Sequence, residues 1–266
     1  MVIMSDAMHN TFGALTDVGQ TVEMFLAIWG FLTTIVVTCK KVIHYFRKGK
    51  RAKKILSFSN GKGATTLASY PPVGNVRFSH NSALEVNALN ILKNFMKEAG
   101  YQTVDYDSNS EECNVIHLGG PAANRNVCTL FTALSLNFKY CTSSSERAIY
   151  EERSLCGHCI KYQNSSKKCF EIGTRTLELE EGKQDYAILI RIPRNPRRGV
   201  SQTTHVLFGA WDSGTLIAVK ELTHLDKKVI RKYGKNRKYC IVIPIRDDVA
   251  IPNEWMDCTE DLFGRE

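Results

Sequence analysis

Two short stretches of the chain hold the residue types that bind anions. The first is Val115-Ile-His-Leu-Gly119-Gly120-Pro121-Ala-Ala-Asn124-Arg-Asn126. An apolar run ends in two glycines, and a helical pattern follows. Glycine lets a backbone turn sharply and approach a ligand closely. A helix start directs unpaired N–H groups and a positive dipole end at whatever lies before it. Pro121 suits an early helical position, where a missing N–H matters least. Gly119, Gly120, Asn124 and Asn126 are the candidate binding residues here.

The second stretch is Val206-Leu-Phe-Gly209-Ala-Trp-Asp212-Ser213-Gly214-Thr215. It repeats the logic, with Asp212 or Ser213 as the expected helix cap and Trp211 as a stacking face. Gly209, Asp212, Ser213, Gly214 and Thr215 join the candidate set. Arg191, at the end of a buried run, is expected to clamp a phosphate or carboxylate, because an unpaired guanidinium there would be costly. Neither stretch is a P-loop or a dinucleotide fingerprint. No nucleophile elbow or His-Glu-x-x-His motif accompanies them, and no residue is assigned a catalytic role. His205 with Asp212 and Ser213 does not make a hydrolase, since His205 lies about 10 Å up its own strand from the turn.

Cysteines form a second constellation. Cys156-Gly-His-Cys159 is flanked by Cys141 and Cys169. The alternative assignment is zinc at Cys156, Cys159 and Cys169. The spacing matches no standard ribbon, so the expectation is free thiols with no cofactor.

The elements that must position these loops follow from periodicity. Ile55–Phe58 reads as a short strand and residues 59–79 as a long loop. Ser82 and Glu85 form a capping box for a helix running to Ala99, with Gly100 as its stop. Strands are expected at 102–106, 114–118, 186–192, 205–208 and 239–245, and helices at 123–134 and 213–223. Residues 137–184 read as an irregular, polar insertion with short strands. Near-continuous apolar strands imply burial on both faces. The expected fold is therefore α/β: a three-layer, Rossmann-like, largely parallel sheet, in which both loops fall at the C-terminal strand edge, at a topological switch point.

The rest of the chain explains its charge. The 266 residues carry a net charge of +8, with 43% hydrophobic and 23% charged residues. These values are globular and exclude wholesale disorder. Eight cations and no acid lie between Lys40 and Lys54. Setting those eight aside leaves the remainder neutral, which argues against nucleic acid as a partner and calls for a local cause. Directly upstream, Met24–Cys39 contains no charge, and Val42, Ile43, Tyr45 and Phe46 extend its apolar character. One transmembrane helix, preceded by no Lys or Arg, predicts a single-pass protein of the inner or cell membrane. The N-terminus would be outside and the domain cytoplasmic. The expected organisation is an extracytoplasmic N-terminus (1–21), a membrane helix (22–46), a basic juxtamembrane stretch (47–54), a domain (55–250) and a tail (251–266). In the cytoplasm the cysteines would be mostly reduced, and the sequon at Asn164 would be unmodified.

The series Asn114-Val-Ile-His-Leu-Gly-Gly-Pro with Asn124, Asp185-Tyr-Ala-Ile-Leu-Ile-Arg-Ile-Pro-Arg-Asn-Pro, and Val-Leu-Phe-Gly-Ala-Trp-Asp-Ser-Gly-Thr resembles prokaryotic Rossmann-like domains. Those domains have a Gly-Gly-Pro loop and lie beside membrane segments or signalling modules. The layout is similar to membrane-anchored effectors of bacterial antiphage signalling. The resemblance covers about residues 55–250 and implies ligand binding more than catalysis. The expected function is sensing of a nucleotide-like or other anionic small molecule, with homo-oligomerisation through the membrane helix. The alternative is a membrane-tethered nucleotide-processing hydrolase or transferase using the same cleft.

Overall fold

The computed structural model describes residues 3–56, 62–66, 83–105, 114–152, 158–194, 202–225, 227–234 and 237–264. The chain divides into two units, Met1–Lys48 and Gly49–Glu266.

The first unit is helical. It is most of α1 (Ile3–Leu56), and its large apolar side chains from Met24 to Phe46 are exposed. The helix is long and apolar enough to cross a membrane. From residue 24 to 46 it rises roughly 35 Å, more than the ~30 Å hydrocarbon core. The hydroxyls of Thr33 and Thr34 each donate to the Gly30 carbonyl at 2.8 Å, so neither is left unsatisfied in an apolar medium.

The second unit is a mixed α/β domain. In chain order its elements are the last turns of α1, β1 (Lys62–Thr66), α2 (Ala83–Glu98), β2 (Gln102–Asp105), β3 (Asn114–Leu118), α3 (Arg125–Ala133), β4 (Phe138–Ser143), α4 (Arg147–Glu152), β5 (Ile160–Gln163), β6 (Lys168–Ile172) and β7 (Arg175–Leu179). There follow β8 (Gln184–Arg194), β9 (Gln202–Phe208), α5 (Asp212–His224), α6 (Lys227–Tyr233), β10 (Tyr239–Arg246), β11 (Val249–Ala250), β12 (Met256–Asp257) and α7 (Thr259–Phe263). The main sheet runs β11-β10-β8-β9-β3-β1-β2, with β12 on β10. β2, β1, β3 and β9 are mutually parallel. β8 is antiparallel to both β9 and β10. The expected largely parallel, Rossmann-like sheet is therefore a mixed one, reversed at β8.

Its central strands β3, β8, β9 and β10 are buried on both faces, as their continuous apolar runs require. Alternate residues serve opposite layers. Ala187 and Leu189 face a core with α2, α5, α6 and the end of α1. Ile188, Ile190 and Phe208 face a second core with α3 and α7. Part of that second core comes from residues 137–184. The short strands there form a four-stranded sheet, β5-β4-β6-β7. Phe131, Phe138, Phe170 and Phe208 join the two sheets, with ring centroids 5.5 to 6.4 Å apart.

Several boundaries differ from the sequence reading. Ile55 and Leu56 end a helix instead of starting a strand, because Ala52, Ile55 and Leu56 form one buried helical stripe. Ser57 and Phe58 lie outside the described residues. β1 sits inside the stretch read as a loop. Ser82, and with it the capping box, lies outside the described residues. Gly100 does stop α2, at φ +75°, and the Tyr101 N–H returns to the Met96 carbonyl at 3.0 Å. Residues 251–266, read as a tail, contribute β12 and the buried Cys258 and Leu262.

Candidate functional site

The two Gly turns are neighbours. β3 and β9 pair in parallel, with Leu118 opposite Leu207, and the Gly119 N–H continues the ladder to the Leu207 carbonyl at 3.0 Å. Beyond that point the chains part. α3 buries Val127, Cys128, Leu130 and Phe131 in one core. α5 buries Leu216, Ile217, Ala218 and Val219 in the other. Adjacent parallel strands whose connections leave to opposite faces make a crevice at their C-terminal ends, the usual ligand position in open α/β sheets.

The first wall is built by Gly119 to Asn126. Gly119 adopts φ +88°, a left-handed conformation that suits glycine. Pro121 opens a turn before the helix, not the helix itself, and the Ala123 and Asn124 N–H groups both return to the Gly120 carbonyl. Asn124 caps α3. Its Oδ1 accepts from Asn126 N at 3.0 Å and Val127 N at 3.4 Å, while Nδ2 donates to the Leu118 carbonyl at 3.0 Å. Asn124 is thus an organiser of the loop, and the Asn126 side chain is the exposed amide. Gly120 is buried, and a Cβ there would lie 2.6 Å from the Phe208 ring. The close approach it permits is to that ring.

The second wall is built by Gly209 to Thr215. Trp211, not Asp212 or Ser213, occupies the cap position, and it makes no side-chain cap bond. Asp212 and Ser213 are the first helical residues and half-buried. Thr215 is buried, and its hydroxyl accepts from Gly209 N at 3.3 Å.

The anion at this turn is internal. The Asp185 carboxylate accepts from Tyr186 N at 2.7 Å, Ala210 N at 2.9 Å and Trp211 N at 3.4 Å. Burial pushes its pKa up to about 6, against the lowering effect of those three N–H groups. A Cβ on Gly209 or Gly214 would fall 2.8 or 2.1 Å from Asp185 Oδ2. Both glycines therefore make room for a carboxylate of the chain itself. Asp185 was missed as a site residue. Its signal was a lone acid heading a wholly apolar strand, which needs nearby donors.

Arg191 does not join the loops. Because β8 runs antiparallel to β9, Arg191 lies at the opposite sheet edge, six residues or roughly 20 Å along the strand from Asp185. Its guanidinium donates to the carbonyls of Gly234 at 2.8 Å, Tyr233 at 3.3 Å and Arg237 at 2.8 and 3.0 Å, and it stacks 4.7 Å from the Tyr239 ring centroid. It closes the C-terminal end of α6, where a cation is favourable. His205 is fully buried beside it, and desolvation lowers its pKa to about 3.

The thiols fall into separate groups. Cys156 lies outside the described residues. Cys159 is buried in the second core, with Sγ 4.0 Å from the Cys128 carbonyl. Cys128 is disulfide-bonded. Cys141 and Cys169 lie directly opposite each other on β4 and β6. Together with Glu171 they form a cluster that could hold a metal.

No family model, curated protein or solved structure matches this chain.

Proposed function

We propose that the chain is a single-pass membrane protein whose α/β domain binds a nucleotide-like or other anionic small molecule in the crevice between Gly119–Asn126 and Gly209–Thr215. The observation that carries this reading is the divergence of α3 and α5 from the adjacent parallel strands β3 and β9. The groups available to a ligand are the side chains of Asn126 and Ser213, the indole of Trp211 and the first N–H groups of α5. Binding is favoured over turnover, because among the described residues the buried carboxylate at this edge, Asp185, is held by three backbone N–H groups. The eight cations after the apolar helix support an orientation with the N-terminus outside and the domain in the cytoplasm. The resemblance to membrane-anchored signalling effectors supports self-association through the helix as the output.

The test is mass spectrometry of small molecules released from the purified full chain, followed by calorimetry with the compound found. Ser213→Ala should weaken binding by about 1.5–3 kcal/mol if its hydroxyl meets a charged group. Binding unchanged in both Ser213→Ala and Asn126→Ala would move the site elsewhere. Conversion of the compound would favour the hydrolase or transferase reading.

A further inference from the structure

The face of the small sheet turned away from the aromatic core carries a second site. Phe138, Tyr140, Phe170 and Ile172 point into the core. The strand pleat sends Cys141, Cys169 and Glu171 to the other side. Cys141 and Cys169 are cross-strand partners, and Glu171 follows Cys169 by two residues on the same face. Their ligand atoms all lie within 4.8 Å of one another. Both cysteines are buried and Glu171 is partly so, so the ligands are shielded from water without being sealed.

We propose that Cys141, Cys169 and Glu171 bind a thiophilic divalent cation of the zinc class, with a fourth position left to solvent. A tetrahedral ion with bonds of about 2.3 Å to sulfur needs its two sulfurs about 3.8 Å apart, a spacing that falls inside the 4.8 Å span of this cluster. On binding, two metal–sulfur bonds and one metal–oxygen bond form, and the two thiol protons pass to solvent. Three anionic ligands around a dication leave one negative charge. Lys161 meets it, with Nζ 2.6 Å from Glu171 Oε1, so that one carboxylate oxygen is oriented by the ammonium and the other is left for the metal. Lys139, directly opposite Glu171, adds a second positive charge. This cluster replaces the Cys156–Cys159 pair of the sequence motif, since Cys159 points into the core. The ion would tie β4 to β6 at the outer surface of the second layer.

The test is cobalt(II) titration of the reduced full chain in detergent, read by the thiolate-to-cobalt charge-transfer absorption, with zinc as competitor. One cobalt per chain, displaced by zinc, is expected. Cys141→Ser and Cys169→Ser should each abolish the band, and Cys39→Ser should leave it intact. Glu171→Gln should weaken binding by roughly tenfold or more while leaving the sulfur band. Should a Cys variant fail to fold, zinc protection of Cys141 and Cys169 from alkylation, mapped peptide by peptide in the wild type, gives the same answer. No sulfur band, a band unaffected by both Cys variants, or a Cys141–Cys169 disulfide formed in place of metal binding would each overturn the proposal.

Discussion

Gly214 lies against the Asp185 carboxylate so closely that a Cβ at that position would meet Oδ2 at 2.1 Å. The first turn of α5 is therefore fitted to a residue 29 positions earlier in the chain. Gly214→Ala must displace either the helix start or the carboxylate. We expect a loss of about 1–3 kcal/mol, the usual range for forced overpacking. Ser213→Ala, one residue away and half-buried, should stay within about 0.5 kcal/mol. Chemical denaturation of the two variants side by side checks the contrast.

Asp185 also sets a pH dependence. Its folded pKa, about 6, lies above the unfolded value near 4. A raised carboxylate favours the folded state while protonated, so its contribution is complete below pH 4 and is lost as pH rises through 6. The size is on the order of 2–3 kcal/mol. Asp257 behaves oppositely. Burial pushes it up, but hydrogen bonds from Lys232, Thr259 and Tyr233 outweigh that and hold it at about 2. Its contribution is lost only as pH falls below 4 toward 2. The buried His205, held at about 3, works in the opposite direction over the same range, so the readout is the difference between chains: between pH 4 and 6 the unfolding midpoint of Asp185→Asn should rise more, or fall less, with pH than that of the wild type.

Gly120→Val tests the first wall. A Cβ there would strike the Phe208 ring, which is buried among Phe131, Phe138 and Phe170. We expect destabilisation of about 1–3 kcal/mol or more, visible in thermal unfolding without any ligand. Phe208→Leu in the same chain should return part of the loss, since it removes the clashing ring.

Arg191→Ala should act on folding and not on the crevice. It takes the guanidinium from the buried Tyr233 carbonyl and from the part-buried carbonyls of Gly234 and Arg237, at about 1–3 kcal/mol for the buried group left unsatisfied. Arg191→Lys should rescue only partly, because an ammonium lacks the planar fork that reaches three acceptors. A denaturation midpoint equal to wild type for Arg191→Ala would contradict this role.

Orientation has its own readout. Asn164 is exposed in the turn between β5 and β6 and heads a glycosylation sequon. With the domain in the cytoplasm it should stay unmodified when the chain is inserted into microsomes. A glycan there would reverse the orientation and would match the oxidising compartment in which the Cys128 disulfide persists.

The strand–turn–helix units of the candidate site were legible because glycines at 119 and 209 interrupt runs too apolar to be anything but buried strands. α2, α5 and the span of α1 were legible from their apolar periodicity. Strand direction was not. Nothing in Asp185–Ile192 distinguishes a parallel from an antiparallel strand, and assuming the former put Arg191 at the wrong edge. The second sheet was legible only as short strands and not as a sheet, because β5, β6 and β7 carry polar residues on the outward face, as in Lys161, Glu171 and Glu178. β1 was hidden because Lys-Gly-Ala-Thr-Thr has little apolar content, and its strand state comes from pairing with β2 and β3.

The last turns of α1 carry a consequence for how this protein can be divided. Ala52, Ile55 and Leu56 are fully buried in the domain, Arg51 donates to the Leu225 carbonyl at 3.0 Å, and the Leu56 carbonyl meets His205 Nε2 at 2.9 Å. A protease cutting just after the basic stretch would not liberate an intact soluble half. A cut after Lys54 would take Ala52 and the Arg51 bond away from the remainder and leave Ile55 and Leu56 at its frayed end. A soluble fragment should begin no later than Gly49. Within the domain the same wedge ties residues 49–56 to the middle of β9, the strand that ends at the crevice.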